Sequence, residues 1–97
     1  MNQRLCDKVV MTEERHDNSC KYTYQLILRE GERVADWKLP LYSIRISLVD
    51  DKGHKSEKEA RDLFTNRERA VSFFEKLVRN LATPIDLGYV VEDEIRT

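Results

Sequence analysis

The side chains that could carry acid–base or metal chemistry are few in this sequence and stand far apart. His16 and His54 are the only two histidines, and each lies in a polar stretch that is typical of a turn. An imidazole titrates near neutral pH and can ligate a metal, and His16, Asp17 and Cys20 together would offer three zinc ligands. Their spacing, however, lacks the Cys-x-x-Cys and His-x-x-x-His pairs of common zinc sites. We therefore interpret both histidines as solvated and expect neither a metal site nor a cofactor.

Asp62 is the one carboxylate whose position suggests a buried polar site. Strand alternation places it on the same face as Ala60 and Phe64, so we expect it to be partly buried. A buried carboxylate needs a partner, or its pKa rises. Arg67, Arg69 and the backbone N–H groups of the following helix are the candidate partners. We therefore expect Asp62 and Arg67 to form a polar junction between sheet and helix, with a functional polar site there as the alternative.

Other motifs of enzymes are missing from the sequence. It has no phosphate-binding glycine loop and no nucleophile elbow, and its three glycines are far apart. The segment Asp50-Asp51-Lys52-Gly53 lacks the further acidic ligands of a calcium loop, so we interpret it as a turn. We therefore expect that the protein is not an enzyme.

The composition is that of one small domain with a thin core. Of the 97 residues, 40% are hydrophobic and 36% charged, so we expect a single domain over residues 1–97. The net charge of −1 gives no general attraction to nucleic acid or to an anionic membrane, and no apolar run is long enough to span one. The first residues lack the apolar region of a signal peptide, which favours a cytoplasmic protein.

Two cysteines, Cys6 and Cys20, are too few for a disulfide framework. The first predicted hairpin would centre near Asp17. This register sets Cys20 near Glu14 and Cys6 near Leu28, so the thiols would not face each other. We interpret both as free.

Period-two alternation of apolar side chains predicts four strands. The clearest contains Tyr22 and Tyr24 on one face, and polar segments at 15–19 and 50–53 predict turns. The segment near Val34 could form a fifth, short strand. The predicted strands cover about residues 4–14, 20–30, 41–50 and 55–64.

Two helices follow the strands. Residues 66–81 carry an apolar stripe at helical spacing, and residues 84–95 begin with Pro84, a residue favoured at the first helical position. The predicted caps are Thr65 or Asn66 for the first helix and Thr83 for the second. Strands followed by helices are typical of an α+β fold. We expect a four-stranded, or five-stranded, antiparallel sheet with both C-terminal helices packed on one face.

Several short motifs resemble a Firmicutes family described as a domain of unknown function, DUF6514. The most specific is the run Asn80-Leu81-Ala82-Thr83-Pro84-Ile85-Asp86-Leu87, continued by Val90-Val91-Glu92-Asp93. Shorter matches are Tyr22-Thr23-Tyr24, Tyr42-Ser43-Ile44 and Ala60-Arg61-Asp62-Leu63. The resemblance covers about residues 20–95 and implies a bacterial, cytoplasmic origin, but it implies no activity.

The function that these features favour is a non-catalytic protein-interaction or regulatory module whose partner is a protein, a second copy of the chain included. The open face of the sheet and its edge strands are the candidate surface, with Trp37, Arg45 and Ser47 on it. Trp37, beside Pro40, would be an interface anchor or, equally, a buried residue that seals the end of the sheet.

The alternative function is a single-stranded nucleic-acid-binding domain. It would use Arg29, Arg45 and aromatic residues on the open sheet face, because bases stack on aromatic rings. It requires Tyr22, Tyr24 and Tyr42 to point away from the helices. Their strand neighbours on the same faces are apolar, which favours burial, and the nearly neutral charge also counts against nucleic acid.

Overall fold

The computed structural model describes residues 7–34 and 37–96, with side chains described for residues 8–29 and 40–94. The elements in chain order are β1 (Asp7–Asp17), β2 (Cys20–Val34), β3 (Trp37–Val49), β4 (Lys55–Phe64), α1 (Arg67–Arg79) and α2 (Pro84–Arg96). The strands form one antiparallel sheet in the order β1-β2-β3-β4. This confirms the α+β fold of four strands followed by two helices that pack on the sheet.

β2 and β3 are longer than their sequence patterns predicted, and they include the segment proposed for a fifth strand. Val34 is the last residue of β2 and pairs with Trp37 at the start of β3. A register shift between Glu30 and Arg33 interrupts the pairing, which hides the continuation of β2 from a simple alternation pattern. Within the described residues, the stretch near Val34 therefore belongs to β2 and adds no fifth strand.

The turn between β1 and β2 is shorter than the polar segment predicted. Only Asn18 and Ser19 form it, with φ angles of 52° and 64°. Two consecutive positive φ angles define the two-residue hairpin turn whose twist matches that of the strands. β1 therefore continues to Asp17, and Cys20 lies opposite Asp17 rather than near Glu14. The predicted register was wrong because polar side chains before the turn were taken as part of it.

The helices cover the sheet face that carries the even-numbered residues of β2 and β3 within 22–28 and 42–48. Tyr24, Leu26, Ile44 and Ile46 are 0% exposed on that face. The helices bury Ala70, Phe73, Phe74, Leu77 and Leu87 against it. Removal of this apolar surface from water is the main favourable term in folding. We call the opposite face, which carries Thr23, Gln25, Ile27, Arg29, Ser43, Arg45 and Ser47, the open face.

Side-chain caps fix the starts of both helices. The Asn66 side chain accepts a hydrogen bond from the Arg69 N–H at 3.0 Å, which selects Asn66 from the two predicted caps. At the start of the second helix, the Thr83 N–H donates to Asp86 Oδ2 at 3.1 Å, and the Asp86 N–H donates to Thr83 Oγ1 at 3.2 Å. This reciprocal pair is a capping box. Neither helix, nor any other in the described part of the chain, is long and apolar enough to cross a membrane.

α1 ends at Arg79, two residues before its predicted end. The N–H of Leu81 bonds to the carbonyl of Val78, and the N–H of Ala82 bonds to the carbonyl of Leu77, both at 3.1 Å. This is the Schellman arrangement, which puts a left-handed residue just after the helix. Leu81 takes that position with a φ of 54°. Glycine is the usual residue at this position. Because this chain has a leucine there instead, the sequence did not predict where the helix ends.

Hydrogen bonds from the sheet hold the loop between the helices. The phenol of Tyr24 donates to the carbonyl oxygen of Ala82 at 2.8 Å, and this contact is buried. Burial raises the pKa of Tyr24 to about 12. Arg15 on β1 donates from Nη1 to the carbonyl of Val78 at 2.9 Å, where a cation also meets the negative end of the α1 dipole. The sheet therefore fixes the place where α2 begins.

Substitution of Tyr24 by phenylalanine tests the importance of the bond to Ala82. We expect Tyr24→Phe to lower the free energy of unfolding by about 1–2 kcal/mol, because the buried carbonyl loses its donor. Urea denaturation measures the change. Tyr22→Phe is the matched control, since the Tyr22 hydroxyl makes no hydrogen bond within the described residues, and we expect less than about 0.5 kcal/mol there. Equal losses in the two variants would contradict a special role for Tyr24.

The pKa of Tyr24 also predicts how stability depends on alkaline pH. The folded state raises this pKa from 10.0 to about 12, so it favours the protonated phenol. The stabilisation is complete below pH 10 and is lost as pH rises from 10 towards 12. We expect the Tyr24→Phe variant to lose less stability than the wild type over that interval, measured by urea denaturation at each pH. Parallel pH profiles for the two proteins would refute this prediction.

Candidate functional site

The structure places Arg45 and Ser47 on the open face, and their polar groups are engaged within the chain. Arg45 donates from Nη1 to Gln25 Oε1 at 3.3 Å and from Nη2 to Glu59 Oε1 at 3.2 Å. Ser47 donates from Oγ to Glu57 Oε2 at 3.0 Å. A partner that bound here would have to replace these bonds, so the centre of the open face offers it little net gain.

The predictions for Trp37 and Cys6 fall outside the part of the chain that the structure describes. The backbone of Trp37 begins β3, but its side chain is not among the described ones. Cys6 as a whole lies outside the described residues, and so does its predicted position near Leu28. Cys20 is a free, partly buried thiol.

Asp62 lies beside the open face, not at the sheet–helix junction predicted for it. Residues 61–63 bulge opposite Ser43, and the φ of Asp62 is 54°. The N–H of Asp62 donates to Ser43 Oγ at 2.9 Å, and its carboxylate lies 3.6 Å from Arg29 Nη1. Arg67 is exposed at the start of α1, and no ion pair joins it to Asp62 within the described residues. The prediction was wrong because the bulge breaks the alternation from which the face was inferred.

The most exposed large apolar side chains in the described part of the chain lie on α2. Ile85 and Tyr89 are 75% and 70% exposed, and their spacing of four residues makes them neighbours on one side of the helix. Gly88 lies beside them, and a Cβ built there would meet no atom within 4 Å. We call Ile85, Gly88 and Tyr89 the α2 patch. Clustered apolar groups in water are typical of surfaces that another molecule covers.

A shallow cavity of about 570 Å³ opens beside the α2 patch. Its lining includes the patch residues, Val91 and Glu92 of α2, and Lys58 of β4. Lys58 and Glu92 are exposed, and neither forms an ion pair or side-chain hydrogen bond within the described residues. The cavity therefore combines an apolar surface with one available charge of each sign.

The acidic end of α2 is divided between two roles. Glu94 faces α1, where its carboxylate lies 3.6 Å from Arg69 Nη2 and 4.0 Å from Lys76 Nζ. Glu92 instead lines the cavity. The ion pairs of Glu94 link α2 to α1. Glu92 and Asp93 are exposed and form no ion pair within the described residues, and of these two only Glu92 lines the cavity.

The α2 patch was missed in the sequence, although a signal for it was present. In the sequence, Leu87, Val90, Val91 and Ile95 recur at helical spacing and predict one apolar face of this helix. The structure buries Leu87 and partly buries Val90 and Val91, and the side chain of Ile95 lies outside the described residues. Ile85 and Tyr89 are the apolar residues that this assignment leaves over. Their spacing of four residues would have placed both on the outer side of the helix.

The tyrosines required by the nucleic-acid alternative lie under the helices. Tyr22, Tyr24 and Tyr42 are 9%, 0% and 5% exposed, and all belong to the main core. Among the side chains that the structure describes, the open face carries no aromatic ring. The condition set for base stacking on that face is therefore not met by these three residues.

Both histidines are exposed, and His54 has a structural role in a turn. Asp50 Oδ1 accepts bonds from the N–H of His54 at 2.8 Å and of Lys52 at 2.9 Å, and Asp50 Oδ2 lies 3.2 Å from His54 Nδ1. The bond from the His54 N–H is the main cause that lowers the pKa of Asp50. Through these hydrogen bonds Asp50 and His54 organise the turn between β3 and β4.

Within residues 7–34 and 37–96 there is no group of three or more potential metal ligands.

Comparison with known proteins links the whole sequence to one family. A family model described as a family of unknown function (DUF6514) matches residues 1–97. No curated protein and no solved structure matches the chain. The match therefore extends the resemblance seen in the short motifs to the full length.

Two glycine substitutions test whether Gly88 has a role inside the folded chain. Gly88 is helical and has open space at its Cβ position, so we expect Gly88→Ala to raise the free energy of unfolding by about 0.5–1 kcal/mol. Gly53 has equally open space but a φ of 85°, so Gly53→Ala is the control and should lose about 1 kcal/mol or more. Thermal and urea denaturation of dilute protein measure both. A loss of stability in Gly88→Ala would contradict the open space beside this residue.

Proposed function

Because this chain belongs to the DUF6514 family, whose function is unknown, we propose a role for it from its surface: a non-catalytic protein-interaction module. It binds a protein partner through the α2 patch and the adjoining cavity. We place this binding in the cytoplasm, where a free thiol such as that of Cys20 stays reduced.

The exposure of Ile85 and Tyr89 is the observation that supports the proposal. A helix on the surface of a domain normally turns its apolar side chains to the core and its polar side chains to water. α2 buries Leu87 at 2% exposure, yet it keeps an isoleucine and a tyrosine at 75% and 70%. Tyrosine supplies a large apolar ring with a polar end, which is why it is common among the residues that dominate binding energy.

The sheet is a less suitable binding surface for a partner protein than α2 is. Both edge strands are rich in charge: β1 reads Asp-Lys-Val-Val-Met-Thr-Glu-Glu-Arg-His-Asp, and β4 reads Lys-Ser-Glu-Lys-Glu-Ala-Arg-Asp-Leu-Phe. Each also has an irregular register. Charged side chains and bulges are the usual means by which sheet edges avoid pairing with another strand. We therefore propose α2, rather than the open face or an edge, as the main binding surface.

Capture of partners by tagged protein from nuclease-treated lysate of the source organism tests this function. We expect Tyr89→Ser to weaken capture of a bound protein at least about tenfold, because a buried aromatic anchor contributes about 2 kcal/mol or more. Arg45→Ala on the open face is the matched control and should capture the same protein as the wild type. Mass spectrometry identifies and quantifies the captured protein in each lane.

The other outcomes separate the competing surfaces. Loss of capture in Arg45→Ala with retention in Tyr89→Ser would move the binding site to the open face. A second capture is run from untreated lysate. A signal that is present there but absent after nuclease treatment, or that falls steeply as the salt concentration rises, would favour nucleic acid, because phosphate contacts release counterions. Circular dichroism checks that each variant is folded, which the exposure of Tyr89 leads us to expect.

A further inference from the structure

We infer that the protein seated on the α2 patch is a second copy of this chain, related by a two-fold axis that passes beside Gly88. The inference rests on the proposed function, since it names the partner of the same surface. It is supported by the glycine in the patch and by two charges of opposite sign that are available beside it.

Gly88 suggests that another backbone or ring comes close to α2. A glycine inside a helix costs stability relative to alanine, and nothing within 4 Å of its Cβ position requires it here. The described chain therefore gives no steric reason for this residue. A close external contact supplies one, since a glycine lets another molecule approach the backbone closely.

A two-fold axis gives the patch a matching partner in its own copy. In such an interface each contact between two different residues occurs twice. Two antiparallel α2 helices that cross between positions 88 and 89 place the Tyr89 ring of each copy over Gly88 of the other. The same arrangement brings Glu92 of one copy towards the Ile85 end of the other copy's cavity.

The charges beside the cavity agree with this arrangement. Lys58 and Glu92 line the cavity together with the patch, and neither is paired within the described residues. In the dimer Lys58 of each copy faces Glu92 of the other, so two equivalent ion pairs form. Complementary charges of this kind fix register and exclude wrong arrangements.

The size of the surface indicates a reversible dimer. α2 has 13 residues and is therefore about 20 Å long. A single helix of this length, with the adjoining cavity, buries less than the roughly 800 Å² per partner of a standard stable interface. We expect the monomer and dimer to exchange, with the dimer favoured at high concentration.

Charge reversal in two separate variants tests the inference by sedimentation equilibrium. The wild type should shift from a mass of 11.5 kDa towards twice that value over about a hundredfold rise in concentration. Lys58→Glu alone and Glu92→Lys alone should each remain monomeric, because both pairs become repulsive. An equal mixture of the two variants should recover the dimer, because both cross-pairs are then attractive. Lys55→Glu and Asp93→Lys are the controls and should dimerise as the wild type does.

Gly88→Ala supplies an independent measurement at the same interface. The methyl group fits the monomer, so the variant remains folded at every concentration. In the dimer the methyl group meets the second copy's Tyr89, so we expect the dissociation constant to rise by about tenfold or more.

A wild type that stays monomeric at every concentration overturns the inference, as does a dimer that persists in both charge-reversal variants. Such results leave the proposed function standing if Tyr89→Ser still loses capture of a different protein. Capture that is insensitive to Tyr89 overturns the proposed function itself. Untagged copies of the chain among the captured proteins, lost in Tyr89→Ser, support both.

Discussion

Tyr24, Leu26, Ile44 and Ile46 form two cross-strand pairs in the middle of the sheet, and none of them has exposed surface. Each pair joins an aliphatic or aromatic side chain of β2 to an isoleucine of β3. Burial of such side chains stabilises the fold by about 1.5–3 kcal/mol each. Because side chains alternate along a strand, this one requirement decides the facing of the described side chains of β2 and β3, in residues 20–29 and 40–49. It also requires α1 and α2 to lie on that side.

The position of α2 follows from how the sheet holds the helix connection. The hydrogen bond from Tyr24 to the carbonyl of Ala82 fixes the chain just before α2, and the left-handed Leu81 directs it there. α2 then buries Leu87. Because a helix that turns one side to the core must turn the opposite side outwards, Ile85 and Tyr89 face water. The exposed patch is thus a consequence of the core contacts on the other side of the same helix.

Two surfaces of the molecule differ in whether their charged side chains already have partners within the chain. On the open face, Arg45 reaches Gln25 and Glu59, and Asp62 approaches Arg29. Beside α2, Lys58 and Glu92 line one cavity without pairing within the described residues. Exposed ion pairs contribute little to stability, so the open-face network matters mainly because it occupies groups that a partner would need. The total charge of −1 gave no hint of this difference.

Local sequence signals were enough to predict the features that depend on neighbours along the chain. Alternation located the four strands, Asn66 and Thr83 marked the helix starts, and the order of elements indicated an α+β fold. These signals are local, because a strand period or a cap involves only a few consecutive residues. Packing between distant segments set the rest: the left-handed end at Leu81, the bulge that turns Asp62 towards Arg29, and the hydrogen bond by which Tyr24 holds the start of α2. Each of these depends on which distant surface a segment packs against, and no period along the chain records that contact.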